Sequence, residues 1–285
     1  VDSGCGSGHT EADLPATIGD GRGYRHHAPP GYTSDQPLPL ILAFHGANGG
    51  PADLEDYTGL DKANALVVYP EGRRYDGEHR TWPPGDRFPS AADRDRDLDY
   101  VKALVAETES TLCVDTSKIY ATGKSAGGGF TYLLACKAPD LVSAIAPVAG
   151  AFYRPGSEHH GVRDCGSGPR RILEFHGDDD SVIDYAGTDR SRPIRTTAGE
   201  DNEGWIDEWV RRDQCGAEDP AGQEPADIHR HSWTACADDT EVVHYRVLGG
   251  DHNWPGSEHS SGPGTPTQSI SATDVILDFF HVDHT

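Results

Sequence analysis

The amino-acid sequence predicts an α/β fold in one domain over residues 1–285, with a mostly parallel, doubly wound sheet flanked by helices. Three observations carry this. Short β-prone runs alternate with helical stretches along the chain, the order that builds parallel sheets. Several runs, such as Leu38-Pro39-Leu40-Ile41-Leu42-Ala43-Phe44, are apolar almost without a break, as strands buried on both faces are. A glycine-flanked serine, Gly123-Lys124-Ser125-Ala126-Gly127, stands between a β-prone run and a helical one. No internal repeat, low-complexity linker or shift in composition marks a second domain.

The elements follow in order. Residues 1–36 are polar, and 23–27 read as an early edge strand. Its paired His26 and His27 have no carboxylate or cysteine at matching spacing, so a solvated strand face is preferred to a metal site. The run 38–44 ends in His45-Gly46-Ala47-Asn48-Gly49-Gly50, a glycine-rich turn at a strand end. A helix is expected over 51–65, with Pro51 at its start, where a missing N–H costs nothing. Leu66-Val67-Val68-Tyr69-Pro70 is the next buried strand, and 71–92 a polar loop carrying Trp82. A helix over 95–112 puts Leu98, Val101, Leu104 and Val105 on one face. Ile119-Tyr120-Ala121-Thr122 is the strand before the serine turn, and a helix runs from that turn to Cys136. Strands are expected at 143–150 and 171–177, the second running into Asp178, Asp179, Asp180 and Asp184. Residues 187–203 read as a loop, 205–212 as a short amphipathic helix and 214–240 as irregular. The last strand, 241–248, ends in Gly249-Gly250-Asp251-His252. After a Ser/Gly/Pro-rich loop to residue 270, Thr273 or Ser271 caps a helix over 274–282.

The serine turn suggests chemistry. Strand, G-x-S-x-G, helix is the setting of a nucleophile elbow, in which small neighbours let the hydroxyl stand clear of the sheet. The N–H of Ala126, at the helix start, is one candidate donor to an oxyanion, and the N–H of Ala47 in the His45-Gly46 turn is the other. A serine hydroxyl is almost never ionised at neutral pH, so it needs a histidine beside it and a carboxylate behind the histidine. In open α/β sheets such groups lie beyond strand C-termini. Ser125, the acidic cluster and His252 occupy such positions, in the serine, acid, histidine order of α/β-hydrolases. His176 precedes the acid and is assigned to packing; His244, inside a strand, is structural. Spacing leaves Asp178, Asp179, Asp180 and Asp184 open as the acid.

Composition narrows the partners. With 47 acidic and 24 basic residues, the net charge of −23 argues against nucleic acid and anionic membranes. No apolar run is long enough to cross a bilayer. Six spread cysteines without C-x-x-C or zinc-type spacing predict three disulfides in a secreted, extracellular protein. The polar start at Val1, without Met, is expected to follow removal of a leader. No metal and no organic cofactor is expected, and the chain is expected to be a monomer.

Specific strings then carry a resemblance. Cys5-Gly6, Phe44-His45-Gly46, Tyr69-Pro70-Glu71-Gly72, Cys113-Val114-Asp115, Tyr120-Ala121-Thr122-Gly123-Lys124-Ser125-Ala126-Gly127-Gly128-Gly129, Leu134-Ala135-Cys136, Ala146-Pro147-Val148, Glu174-Phe175-His176-Gly177 and His252-Asn253-Trp254-Pro255 resemble secreted feruloyl esterases. These are related to polyhydroxybutyrate-depolymerase-like and acetylxylan esterases, and the matches span nearly the whole chain. The resemblance implies an esterase with Ser125 as nucleophile and His252 as base. The family's acid stands four residues after the His of the His-Gly strand end, which is Asp180 here. Family members have Pro before the Tyr that follows; this chain has Asp184 before Tyr185, which makes Asp184 the first alternative. Cysteine pairs 5–113, 136–165 and 215–236 are compatible with the family. The implied partner is a feruloylated polysaccharide or small ester, with acetylxylan or polyester hydrolysis as the alternative. A non-catalytic carbohydrate-binding protein and a serine peptidase stand outside that group. Trp254, two residues after His252, is expected to line the acyl pocket, where its ring can pack on ferulate, with a core clamp as the other reading. Trp82 has a weaker form of the same expectation.

Overall fold

The computed structural model describes residues 3–83, 91–151, 168–185 and 202–285. Among them, nine strands form one sheet. Its spatial order is β1 (Thr17–Ile18), β2 (Arg22–His27), β4 (Leu66–Pro70), β3 (Leu38–Phe44), β7 (Val114–Lys124), β8 (Ala144–Val148), β9 (Arg171–Gly177), β11 (Val242–Val247) and β10 (Ile228–Trp233). The strands from β4 to β11 in that order are parallel, and β1, β2 and β10 add antiparallel edges. A separate hairpin joins β5 (Arg73–Arg74) and β6 (Arg80–Thr81).

The apolar runs are unbroken because the sheet has two cores. Leu40, Leu42 and Phe44 of β3 enter the core beneath α2 (Ala91–Thr111), α3 (Ala126–Lys137) and α4 (Asn202–Arg212). Ile41 and Ala43 enter the opposite core, beneath α1 (Pro51–Thr58) and α5 (Ala272–Phe279). In β4, Leu66 and Val68 face the first core, and Val67 and Tyr69 the second. Each such Leu, Ile, Val or Phe side chain contributes roughly 1.5–3 kcal/mol of burial, so both alternating positions must be apolar.

Four expectations are corrected. The helix expected to 65 ends at Thr58: Gly59 takes φ 59°, its N–H donates to the Glu55 carbonyl, and a 3-10 turn follows at Leu60–Lys62. The loop at 71–92 contains the β5–β6 hairpin. The irregular stretch 214–240 contains β10, whose polar Ile-His-Arg-His-Ser-Trp sequence hides an edge strand paired along the whole of β11. The last helix starts at Ala272, because the Ser271 hydroxyl accepts the Asp274 N–H, and ends at Phe279. The loop at 187–203 falls almost wholly outside the described residues.

Disulfides join Cys5 to Cys113 and Cys215 to Cys236; Cys165, the partner expected for Cys136, lies outside the described residues. The Cys5–Cys113 bridge closes a loop with a sequence separation of 108 and ties the N-terminal segment to the entrance of β7. Loops of that length are the ones whose closure most restricts the unfolded chain, by up to about 4–5 kcal/mol. Joint Cys5→Ser and Cys113→Ser replacement is therefore expected to lower Tm by at least about 5 °C in calorimetry. An unchanged Tm would show that Gly4 and Gly6, whose N–H groups bond the Glu109 and Ser34 carbonyls, hold the segment unaided.

Among the described residues, no helix is long and apolar enough to cross a membrane, and no group of three or more His, Cys, Asp and Glu side chains is placed to hold a metal ion.

Candidate active site

Strands β3, β7, β9 and β11 are parallel, so their C-terminal ends open on one edge of the sheet. Each delivers a turn there: His45-Gly46-Ala47, Ser125, Asp178-Asp179-Asp180, and the segment leading to His252. A cleft of about 520 Å³ lies at this edge, lined by Ala47, Tyr57, Lys124, Ser125, Val182 and His252 among others. Ser125, His252 and the Ala47 turn thus share one cavity.

Ser125 is held in an unfavourable backbone conformation, φ 57° and ψ −121°, which costs a non-glycine residue on the order of 1–3 kcal/mol. The surroundings enforce it. The Ser125 N–H donates to the Val148 carbonyl, and the Ser125 carbonyl accepts N–H groups from Gly129 and Ala151, all at 3.0 Å. The turn also needs its glycines. A Cβ on Gly127 would stand 2.0 Å from the Phe44 carbonyl oxygen, and one on Gly123 would stand 2.7 Å from the same atom. The strand end that carries His45-Gly46 therefore rests directly on the elbow.

Of the two amides expected to receive an oxyanion, that of Ala47 belongs to a residue lining the cleft, and that of Ala126 directly follows Ser125. Ala126 opens α3, where helix N–H groups lack helical acceptors. Neither its N–H nor that of Ala47 has a protein acceptor among the described residues. The Ala47 turn is pinned from behind by His45. Its Nδ1–H donates to the Gly46 carbonyl at 2.7 Å, and Nε2 accepts the Gly72 N–H at 2.9 Å. Burial drives the His45 imidazole down to about 4, so it stays neutral and keeps one donor and one acceptor.

Of the acidic cluster, Asp180 meets the histidine. Its Oδ2 accepts His252 Nδ1–H at 2.7 Å, and Oδ1 accepts the Val182 and Ile183 N–H groups at 2.8 and 2.7 Å. The side chain is wholly buried. Burial opposes its ionisation, but hydrogen bonds from His176 and His252 outweigh that and hold the carboxyl well below its usual range. Asp178 is engaged elsewhere, with the Arg246 guanidinium and the Gly249 N–H. Burial lowers His252, against the pull of the Asp180 hydrogen bond, so the ring is neutral at neutral pH. A neutral imidazole with Nδ1–H tied to a carboxylate leaves Nε2 as a free base.

Both tryptophan expectations are corrected: neither indole lines the cleft. Trp254 is 1 % exposed, donates Nε1–H to the Thr273 hydroxyl and backs Tyr57 at 6.1 Å between ring centroids. It is a core clamp behind the His252 loop. Trp82 is wholly buried between Phe44 and Phe130, stacked on the latter at 4.8 Å. Both are drawn inward because two apolar cores, not the cleft, surround their chain segments. His176, assigned to packing, is wholly buried but hydrogen-bonds Glu174 and the Ile183 carbonyl.

Sequence reasoning did not single out Tyr57, Val182, Lys124, Ser260 or Ser261 as cleft walls. Lys124 carried a signal, a lysine in the variable position of the elbow. Burial brings its ammonium down to about 8, opposed by Asp180 and Asp251, and Nζ donates to the Ser261 carbonyl. Ser260 and Ser261 carried none. Their loop is folded back by Asn253, whose Oδ1 accepts the Ser261 and Gly262 N–H groups at 3.0 and 3.1 Å.

Comparison with known proteins agrees with this architecture. The chain is 30% identical to NocK, a candidate esterase of Nocardia uniformis subsp. tsuyamanensis, over 95% of this chain and 82% of that one. It is 28% identical to feruloyl esterase B of Piromyces equi over 79% of this chain, but spans only 41% of that protein. Among solved structures, acetyl xylan esterase from Aspergillus awamori superposes with a TM-score of 0.61 at 17% identity, covering 94% of this chain and 96% of that one, a likeness of fold. The family described as Esterase PHB depolymerase matches residues 23–194, which hold the Ser125 elbow and Asp180. By that match, the chain belongs to the esterase PHB depolymerase family of carboxylic ester hydrolases.

Proposed function

We propose that the protein is a secreted, monomeric serine esterase that hydrolyses feruloyl (hydroxycinnamoyl) esters on plant cell-wall polysaccharide, with residues 1–285 as one catalytic domain. The observation that carries the mechanism is the 2.7 Å bond from His252 Nδ1 to Asp180 Oδ2 beside a strained Ser125 in the same cleft. In the first step His252 Nε2 takes the Ser125 proton as Oγ attacks the ester carbonyl. Asp180 holds the required tautomer and stabilises the imidazolium. The Ala47 and Ala126 N–H groups receive the oxyanion; loss of one such donor typically costs about 2.7–4 kcal/mol. His252 then protonates the leaving sugar oxygen. In the second step His252 deprotonates water, which attacks the acyl-enzyme, and then gives that proton to Ser125 Oγ as the acyl–oxygen bond breaks and the acid leaves. Every step uses side chains and amides of the chain itself.

The acyl preference rests on the feruloyl esterases among the relatives. The cleft suits an aromatic acyl group: Tyr57 supplies a ring, and Val182, 38 % exposed, is the large apolar side chain left exposed among the described residues and lines the same cleft as Ser125. The extracellular setting is supported by the two disulfides. Rates on methyl ferulate, acetylated xylan and hydroxybutyrate oligomers test the substrate. Methyl ferulate is expected to have the highest kcat/KM. Faster release of acetate or hydroxybutyrate would transfer the assignment to an acetylxylan esterase or a polyester depolymerase. Xylan binding without turnover of any ester would leave a carbohydrate-binding protein on a hydrolase shell.

A further inference from the structure

We propose that His176 is a positioning residue for the acid: held as an imidazolium between Glu174 and Asp180, it fixes the Asp180 carboxylate and keeps His252 a weaker, readily neutral base. This rests on the assignment of Asp180 as the acid and His252 as the base.

The argument begins with hydrogen-bond capacity. A neutral imidazole has one donor nitrogen and one acceptor nitrogen. The His176 ring is wholly buried, and the groups facing its nitrogens are acceptors. Nδ1 lies 3.1 Å from Glu174 Oε1; Nε2 lies 3.0 Å from the Ile183 carbonyl and 3.3 Å from Asp180 Oδ2. A neutral ring would point a lone pair at an oxygen in a fully buried site, an unpaired contact that buried polar groups avoid. With both nitrogens protonated, every contact becomes a donor–acceptor pair. Burial opposes the charge, but the bonds to Asp180 and Glu174 win and push the ring up to about 10.

The neighbours complete the assignment. Glu174 Oε2 accepts His244 Nδ1–H at 2.6 Å, and the Tyr185 O–H donates to His244 Nε2 at 2.8 Å. His244 thus has a partner on each ring nitrogen, and the other Glu174 oxygen, Oε1, faces His176. On the other side, Asp180 has all its acceptor positions engaged: two amides on Oδ1, His252 and His176 on Oδ2. Among the described residues, further charges near the cluster include Lys124 on the cleft side, Asp251 beside the Ser181 turn, and the Arg246 guanidinium, 4.8 Å from the Tyr185 ring centre and paired with Asp178.

The charges alternate in sequence: His252, Asp180 (negative), His176 (positive), Glu174 (negative). A cation behind Asp180 competes with the His252 imidazolium for the same oxygen. It thus disfavours protonation of His252 in the resting enzyme, and the acid limb of the rate profile falls lower than an isolated His–Asp pair would give.

Glu174→Gln separates charge from geometry. The carboxamide oxygen can accept from His244 Nδ1–H while its NH₂ donates to a neutral His176 Nδ1, so the bonds persist and the cation is lost. Histidine-selective 15N NMR of the full wild-type chain at pH 7.5 is expected to show two protonated ring nitrogens on His176; a singly protonated ring would overturn the proposal whether or not the variant folds. In Glu174→Gln, the acid limb of kcat/KM on p-nitrophenyl acetate is expected to rise by about one pH unit with KM unchanged. A limb that stays put while His176 becomes neutral would also overturn it. Asp180→Asn separates the two levels: if it abolishes turnover while the limb is unmoved in Glu174→Gln, only the role of His176 fails. If Asp180→Asn retains turnover, the assignment of the acid fails first.

Discussion

Ser125→Ala is expected to lower kcat by about 10⁶-fold, the scale on which serine hydrolases lose activity without their nucleophile. The fold should be untouched. Alanine meets the same cost at φ 57° that serine does, and the bonds that enforce the turn are made by the backbone of residue 125. The variant should therefore melt within about 2 °C of the wild type. What disappears is the one protein group in the mechanism that forms a bond to the acyl carbon. The Ala47 and Ala126 amides would remain and could still polarise a bound ester, which is why some rate above water is expected to survive. Covalent labelling by a fluorophosphonate, followed by intact-mass measurement, checks the same point without a substrate. Wild type should gain one adduct and the variant none. Comparable turnover by the two proteins would remove the acyl-enzyme mechanism.

Asp180→Asn is expected to cost about 10⁴-fold in kcat, through the tautomer of His252 rather than through misfolding. The Val182 and Ile183 amides need an acceptor, so the asparagine carbonyl oxygen should take the place of Oδ1. Its NH₂ group then faces His252 Nδ1, which must accept instead of donate. The ring proton moves to Nε2, so the nitrogen that serves as base in the proposed mechanism can no longer take a proton. Asp178→Asn and Asp179→Asn should each cost less than about tenfold, because Asp178 pairs with Arg246 and the Gly249 amide at the cluster's edge. Steady-state kinetics of the three variants, with melting curves alongside, make the comparison. Equal losses would mean that the cluster acts through loop structure and not through one carboxylate.

Much of this architecture is legible in local pattern. Strands β3 and β4 have the bounds read from their apolar runs, because burial on both faces leaves no polar position to blur the ends, and β9 has the bounds read from its His-Gly strand end. The elbow is legible for a similar reason: Gly123 and Gly127 face the Phe44 carbonyl at distances no side chain tolerates. Strand β10 is not legible, since an edge strand needs few apolar residues and takes its conformation from pairing with β11. The end of α1 turns on one left-handed glycine, Gly59, inside a stretch whose helical pattern otherwise continues.

The candidate site divides the same way. The sequence by itself determined the fold class, the edge on which Ser125, the acidic cluster and His252 emerge, and their order, because these follow from periodicity and from short-range sterics. It left four carboxylates open until a resemblance singled out Asp180, and it left Trp254 open between the acyl pocket and a core clamp while expecting Trp82 at the pocket. Only the tertiary structure decided which carboxylate reaches His252 across 72 positions of chain, that both indoles turn into the cores, and that Glu174 and His176 stand behind Asp180. The physical reason is that partner choice and side-chain direction depend on which distant segments the packed sheet brings within hydrogen-bond range, a quantity that neighbouring residues do not encode.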